Sequence, residues 1–228
     1  MCGRYTLSQP GDILQQLDVP EAERIDLLPN YNVAPTQNVA VVRAEDGHRR
    51  VAIVRWGLIP FWAKDEKIGN QMINARGESV AEKPAFKNAF KRRRCLVLAD
   101  GFYEWKKIGT AKQPHHIHLK GHESFVMAGL WERWDKGPEP IESCTIITTA
   151  ANSKIAELHD RMPVILGGEA RDLWLDASIQ DPEILTSVLQ PYPAEYFDFV
   201  PVSRMVNSPR NNSPDCLRPM TSLSLFDA

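Results

Sequence analysis

The 228 residues are 43% hydrophobic and 25% charged, which is ordinary globular usage, so overall disorder is excluded and a sizeable core can form. The formal net charge of −2, from 27 Lys and Arg against 29 Asp and Glu, excludes a global positive field and confines any nucleic-acid contact to a local patch. No apolar run reaches membrane-spanning length, and MCGRYTLSQP lacks the basic-then-apolar pattern of a secretory leader, so the cytosol is expected, or the nucleus in a nucleated cell.

In chain order, a short helix is expected over 11–17. Residues 38–56 then read as a β-hairpin: two apolar, β-branched runs around the turn Glu45-Asp46-Gly47. Ser79 and Glu82 have the spacing of a capping box, and 85–93 carries Phe86, Ala89 and Phe90 at helical intervals. Strands are expected at 95–99, 102–107, 115–119, 124–131, 143–149, 162–166 and 197–202, with helices at 153–158, 168–176 and 181–189. The stretch 203–228, with its prolines and asparagines, reads as an irregular segment that drapes over the surface or frays. No repeat or linker divides the chain, so residues 1–228 are expected to form one domain. Its class is α+β and strand-rich, with a curled, barrel-like antiparallel sheet and a few short flanking helices. A monomer is expected.

Cys2, Cys95, Cys144 and Cys216 are widely spaced and form no CxxC pair, so neither a metal nor another cofactor is expected. Cys2 differs from the other three in its chemistry. Removal of an initiator methionine before a small residue leaves a 1,2-aminothiol, whose amine and thiol titrate near pH 8 and about 8.5. The amine can form an imine with an aldehyde, and the sulfur can then close a thiazolidine. The alternative is a small buried hydrophobe near a terminus.

Three other segments place polar residues in rigid surroundings. Asn74 and Arg76 lie in MINARGES, Glu104 lies in ADGFYEWK, and His159 lies in AELHDRMPVIL. Each has an ordinary alternative: a turn cap for Asn74, a surface ion pair for Arg76, a solvent-facing strand position for Glu104, a helix end for His159. Taken with Cys2 they supply nucleophile, carboxylate, imidazole, and an amide and guanidinium able to hold a phosphate.

The segments MCGRY, YNVAPTQ (31–37), WGLIPFWA (56–63), INARGE (73–78), CLVLADGFYEW (95–105), TTAAN (148–152), LHDRMPVIL (158–166) and VSRMVNSPRNNSPDC (202–216) resemble, in order, the motifs of the SRAP family. The resemblance implies binding of single-stranded DNA at an abasic site and a covalent thiazolidine between Cys2 and the ring-opened sugar. It further implies lyase-like imine chemistry and a peptidase-like self-processing that exposes Cys2. Carried over by residue, Cys2 is the crosslinking nucleophile. Glu104 assists proton transfer and positions the Cys2 amine, His159 helps open the sugar, and Asn74 orients the Cys2 or sugar region. Arg4, Arg76 and Arg161 contact phosphates.

The residues suit those roles, because an abasic sugar is mostly a closed hemiacetal that needs a proton at its ring oxygen to expose the aldehyde. Pro35, Trp62 and Trp105 can fill the gap in the base stack or cover neighbouring bases, with core packing as the alternative. Core packing is preferred for Trp56. The run Lys91-Arg92-Arg93-Arg94 is read equally as a DNA-attracting patch or a solvated helix end. His115, His116 and His118 lack a third metal ligand and are read as strand residues. Two rival functions are an N-terminal-cysteine amidohydrolase of the glutamine amidotransferase type, which also begins Met-Cys-Gly, and a non-catalytic single-strand-binding module.

Overall fold

A computed structural model describes residues 2–45 and 47–220. The hairpin of β3 (Asn38–Glu45) and β4 (His48–Trp56) forms as expected, although Asp46 of its turn lies outside the described residues. Alternate residues of β3 enter different cores: Ala40 and Val42 join one cluster, Val39 and Val41 the other. That division follows from the two-residue period of a strand. It recurs in β6 (Arg94–Ala99), β9 (Phe125–Trp134) and β10 (Ile141–Ala150).

Strands β10, β4, β3, β6 and β9 close into a hydrogen-bonded ring, because β9 pairs back onto β10. A ring with an odd number of strands cannot be antiparallel at every step. The parallel step falls between β10 and β4, where Ser143 faces Arg55, and a second parallel pairing joins β10 to β5 (Asn74–Arg76). The sheet is therefore curled as expected but mixed rather than wholly antiparallel.

On one side the ring packs against the short helices α1 (Ile13–Gln16), α2 (Lys87–Arg92), α3 (Gly168–Leu175) and α4 (Pro182–Ser187). On the other it meets a second sheet through Tyr5, Phe102, Ile117 and Phe197. That sheet runs β13 (Phe197–Pro201), β8 (Ala111–Leu119), β7 (Gly101–Ile108), β1 (Tyr5–Leu7), β2 (Asn30–Val33).

Several local expectations change. No helix begins at Ser79: residues 77–82 are turns, and α2 starts only at Lys87, after Pro84. A residue before proline is biased out of the helical region, which separates the two segments. The expected strand over 162–166 splits into β11 (Arg161–Pro163), paired with β10, and β12 (Ile165–Leu166), paired with β9. The segment 153–158 tightens to a 3₁₀ turn at Ile155–Glu157. The stretch after 203 is less free than its composition suggests: Arg204–Asn207 and Pro214–Leu217 form 3₁₀ turns, and Val202 bridges to Pro219. Residues 221–228 lie outside the described residues. No helix among the described residues is long and apolar enough to cross a membrane.

Candidate functional site

Beyond Ile146, β10 leaves β9 and runs on between β5 and β11. Asn74 and Arg76 flank it on one side, opposite Ile146 and Thr148. Arg161 flanks it on the other, opposite Ala150, and His159 stands two residues before it. The second sheet supplies the remaining groups. Tyr5 pairs with Phe102 and Thr6 with Gly101, and the Tyr103 N–H donates to the Arg4 carbonyl at 2.9 Å. Continued toward the N-terminus, this antiparallel register brings the Cys2 segment alongside Glu104.

Cys2 is buried in the second core cluster, and its backbone carbonyl accepts from Asn74 Nδ2 at 2.8 Å. Burial pushes the Cys2 thiol far above its ordinary range, and the charge of Glu104 pushes in the same direction. Glu104 is 4% exposed rather than solvent-facing. Burial raises its carboxyl pKa, while His159 pulls it down. Glu104 thus lies close enough to act electrostatically on the Cys2 thiol, and His159 close enough to act on Glu104.

His159 follows the 3₁₀ turn, and its N–H donates to the Ile155 carbonyl at 3.0 Å. Its Nδ1 accepts from the Arg161 N–H at 3.0 Å and lies 2.8 Å from Asp160 Oδ1. The Arg161 N–H and the Asp160 carboxylate thus meet at one ring nitrogen, and together they fix the orientation of the imidazole.

The arginines differ in setting. Arg76 is exposed. Arg4 is half-buried and donates from Nη1 to Asn32 Oδ1 at 2.7 Å and to the Val206 carbonyl at 2.6 Å, with its guanidinium 6.0 Å from the Trp105 ring. Arg161 holds Glu78 through both Nη groups, at 2.6 and 2.9 Å. Trp62 is 42% exposed beside an equally open Phe61. Trp105 is half-buried and donates to Asn207 Oδ1 at 2.8 Å. Pro35 and Thr36 form the turn after β2, with Thr36 at φ +72, a left-handed conformation that a β-branched residue rarely adopts. Trp56 is fully buried, edge-on to Tyr5, and donates to the Ile73 carbonyl.

Asn32, Thr148 and Glu78 were not singled out from the sequence. Asn32 is buried and donates to the carbonyls of Ser208 and Asn211 at 3.0 and 2.7 Å, fastening the C-terminal segment over the second sheet. A polar residue inside the otherwise apolar YNVA segment was its only signal.

The basic run divides. Arg94 is 5% exposed and donates to the carbonyls of Phe90, Lys91, Trp174, Asp176 and Ile179, while Arg93 pairs with Glu132 at 2.7 Å. Only Lys91 and Arg92 face solvent. His116 and His118 stack on the outer face of the second sheet, with ring centroids 5.5 Å apart. His116 fits there because Gly101 has no Cβ to collide with its ring. His115 packs edge-on to Phe199, and its Nδ1 lies 3.1 Å from the Gln113 carbonyl.

The model of the family described as SOS response associated peptidase (SRAP) matches residues 1–209. The Abasic site processing protein YoqW of Bacillus subtilis (strain 168) is 47% identical over 225 residues, covering 95% of this chain and 99% of its own. Abasic site processing protein HMCES of Gallus gallus is 35% identical, covering 84% and 66%. The crystal structure of a Bacteroides thetaiotaomicron protein, 30% identical, superposes with a TM-score of 0.82 over 96% of this chain and 100% of that one.

Proposed function

The chain belongs to the SOS response associated peptidase (SRAP) family, and from that membership we propose that it processes abasic sites in single-stranded DNA by capturing the ring-opened sugar in a thiazolidine on Cys2. The observation that carries this reading is the pairing of β1 with β7, which sets the aminothiol residue beside a buried carboxyl.

Ring opening is a proton shift: the C1 hydroxyl gives its proton to Glu104 as His159 passes one to the ring oxygen, the two groups exchange that proton afterwards, and the C1 aldehyde is released. The Cys2 amine adds to C1, the carbinolamine loses water, and an imine forms. The thiol adds to the imine carbon as its proton passes through Glu104 to nitrogen. Aldehyde and aminothiol thus yield thiazolidine and one water. The raised thiol pKa favours this order, because a neutral sulfur is a poor first nucleophile.

With Met1 attached, the Cys2 nitrogen is an amide and cannot form the imine. Met1 lies outside the described residues, and its removal by the chain itself is the peptidase-like part of the reading. Asn74 holds the Cys2 carbonyl. Arg76, with the remaining N–H groups of Arg4 and Arg161, supplies phosphate contacts, and Pro35, Trp62 and Trp105 cover the bases around the gap. The test is a denaturing gel after incubation with an oligonucleotide carrying one abasic site. A covalent band is expected, absent in Cys2→Ala; a band of undiminished yield in that variant would refute the reading.

A further inference from the structure

Glu78 stands just beyond β5, across β10 from Arg161. Its carboxylate accepts both Nη groups of Arg161, at 2.6 and 2.9 Å, in the bidentate geometry that fixes a guanidinium plane. Arg161 Nη2 also donates to the Thr148 carbonyl at 2.7 Å, the oxygen that takes the Gly77 N–H at 2.8 Å. One ion pair thereby ties together the segment bearing Asn74 and Arg76, the central strand, and the segment whose Arg161 N–H contacts His159 Nδ1. Exposed ion pairs generally stabilise little. Here the Arg161 side chain is 14% exposed against 53% for Glu78, the geometry is bidentate, and hydrogen bonding to Arg161 keeps the Glu78 carboxyl below its ordinary range.

We propose that Glu78 is a positioning residue: through Arg161 it holds the His159 imidazole where it meets the sugar ring oxygen. The proposal rests on the abasic-site reading above. If it holds, the two sides of β10 are set at working distance by Glu78 rather than by strand pairing alone.

Single-turnover crosslink formation, measured at saturating protein on an abasic oligonucleotide, tests it in wild type, Glu78→Ala, Glu78→Gln, His159→Ala and the Glu78→Ala/His159→Ala double variant. Glu78→Ala is expected to slow crosslinking on the order of tenfold, as misplacement of a reacting group does. Glu78→Gln should recover part of the rate, because one acceptor oxygen remains. The double variant should be no slower than His159→Ala, since a residue acting through another adds nothing once that other is gone. Full additivity of the two losses, a wild-type rate in Glu78→Ala, or an unaffected His159→Ala would each overturn the proposal. Failure of the wild type to crosslink would instead sink the function itself.

Discussion

Burial lifts the Glu104 carboxyl above its ordinary range, so ionising it in the folded chain costs more than in the unfolded one. Its contribution to stability is greatest below the ordinary glutamate pKa, where both states are protonated. That contribution is lost as pH rises, because the unfolded state ionises first. Glu104→Gln is therefore expected to raise Tm at pH 8 and to leave it nearly unchanged at pH 4, while slowing crosslinking about a hundredfold. Thermal melts at the two pH values check the first part. A lower Tm at pH 8 would mean that the carboxylate is held by its surroundings rather than strained by them. His116 carries the opposite sign. Burial depresses its pKa to about 3, so the unfolded chain takes up a proton below about pH 6.5 and the fold loses stability from there down to about pH 3.

Among the elements, the run Lys91–Arg94 shows why charge in a sequence misleads about exposure. Lysine and arginine side chains are rarely buried, and nothing local distinguishes the fourth cation from the third. Arg94 opens β6, whose six residues are all buried, and the carbonyl ends of α2 and α3 converge on its guanidinium. Those carbonyls have no helical partners of their own. Arg94→Met would leave them buried and unpaired, an expected loss of about 3 kcal/mol read by urea denaturation. A loss under about 1 kcal/mol would show that water replaces the guanidinium. The short strands β1, β2 and β5 escape the sequence for a related reason. Each has only 3 or 4 residues, too few to show a period of two, and each is a strand only because a neighbour pairs with it.

For the molecule as a whole, a net charge of −2 means that DNA must be drawn to a local patch. Arg76→Ala should weaken binding to undamaged single strands of every sequence alike and make the plot of log affinity against log salt shallower by about 0.7, as loss of one phosphate contact does. An unchanged slope would remove Arg76 from the interface, and equal affinity for intact duplex would count against stacking by Trp62 and Trp105. By itself the sequence determined the long strands, the hairpin and the strand-rich class, because runs of apolar and β-branched residues bounded by turn residues are a local property. Its motifs, in their order along the chain, also determined the family. Only the tertiary structure decided the ring closure of β9 on β10, with its parallel step, and the enclosure of Cys2 and Glu104 between two sheets. It likewise decided the Glu78–Arg161 tie across β10. These are pairings between residues far apart in the chain, and the burial that shifts the Cys2 and Glu104 pKa values exists only once those pairings have formed.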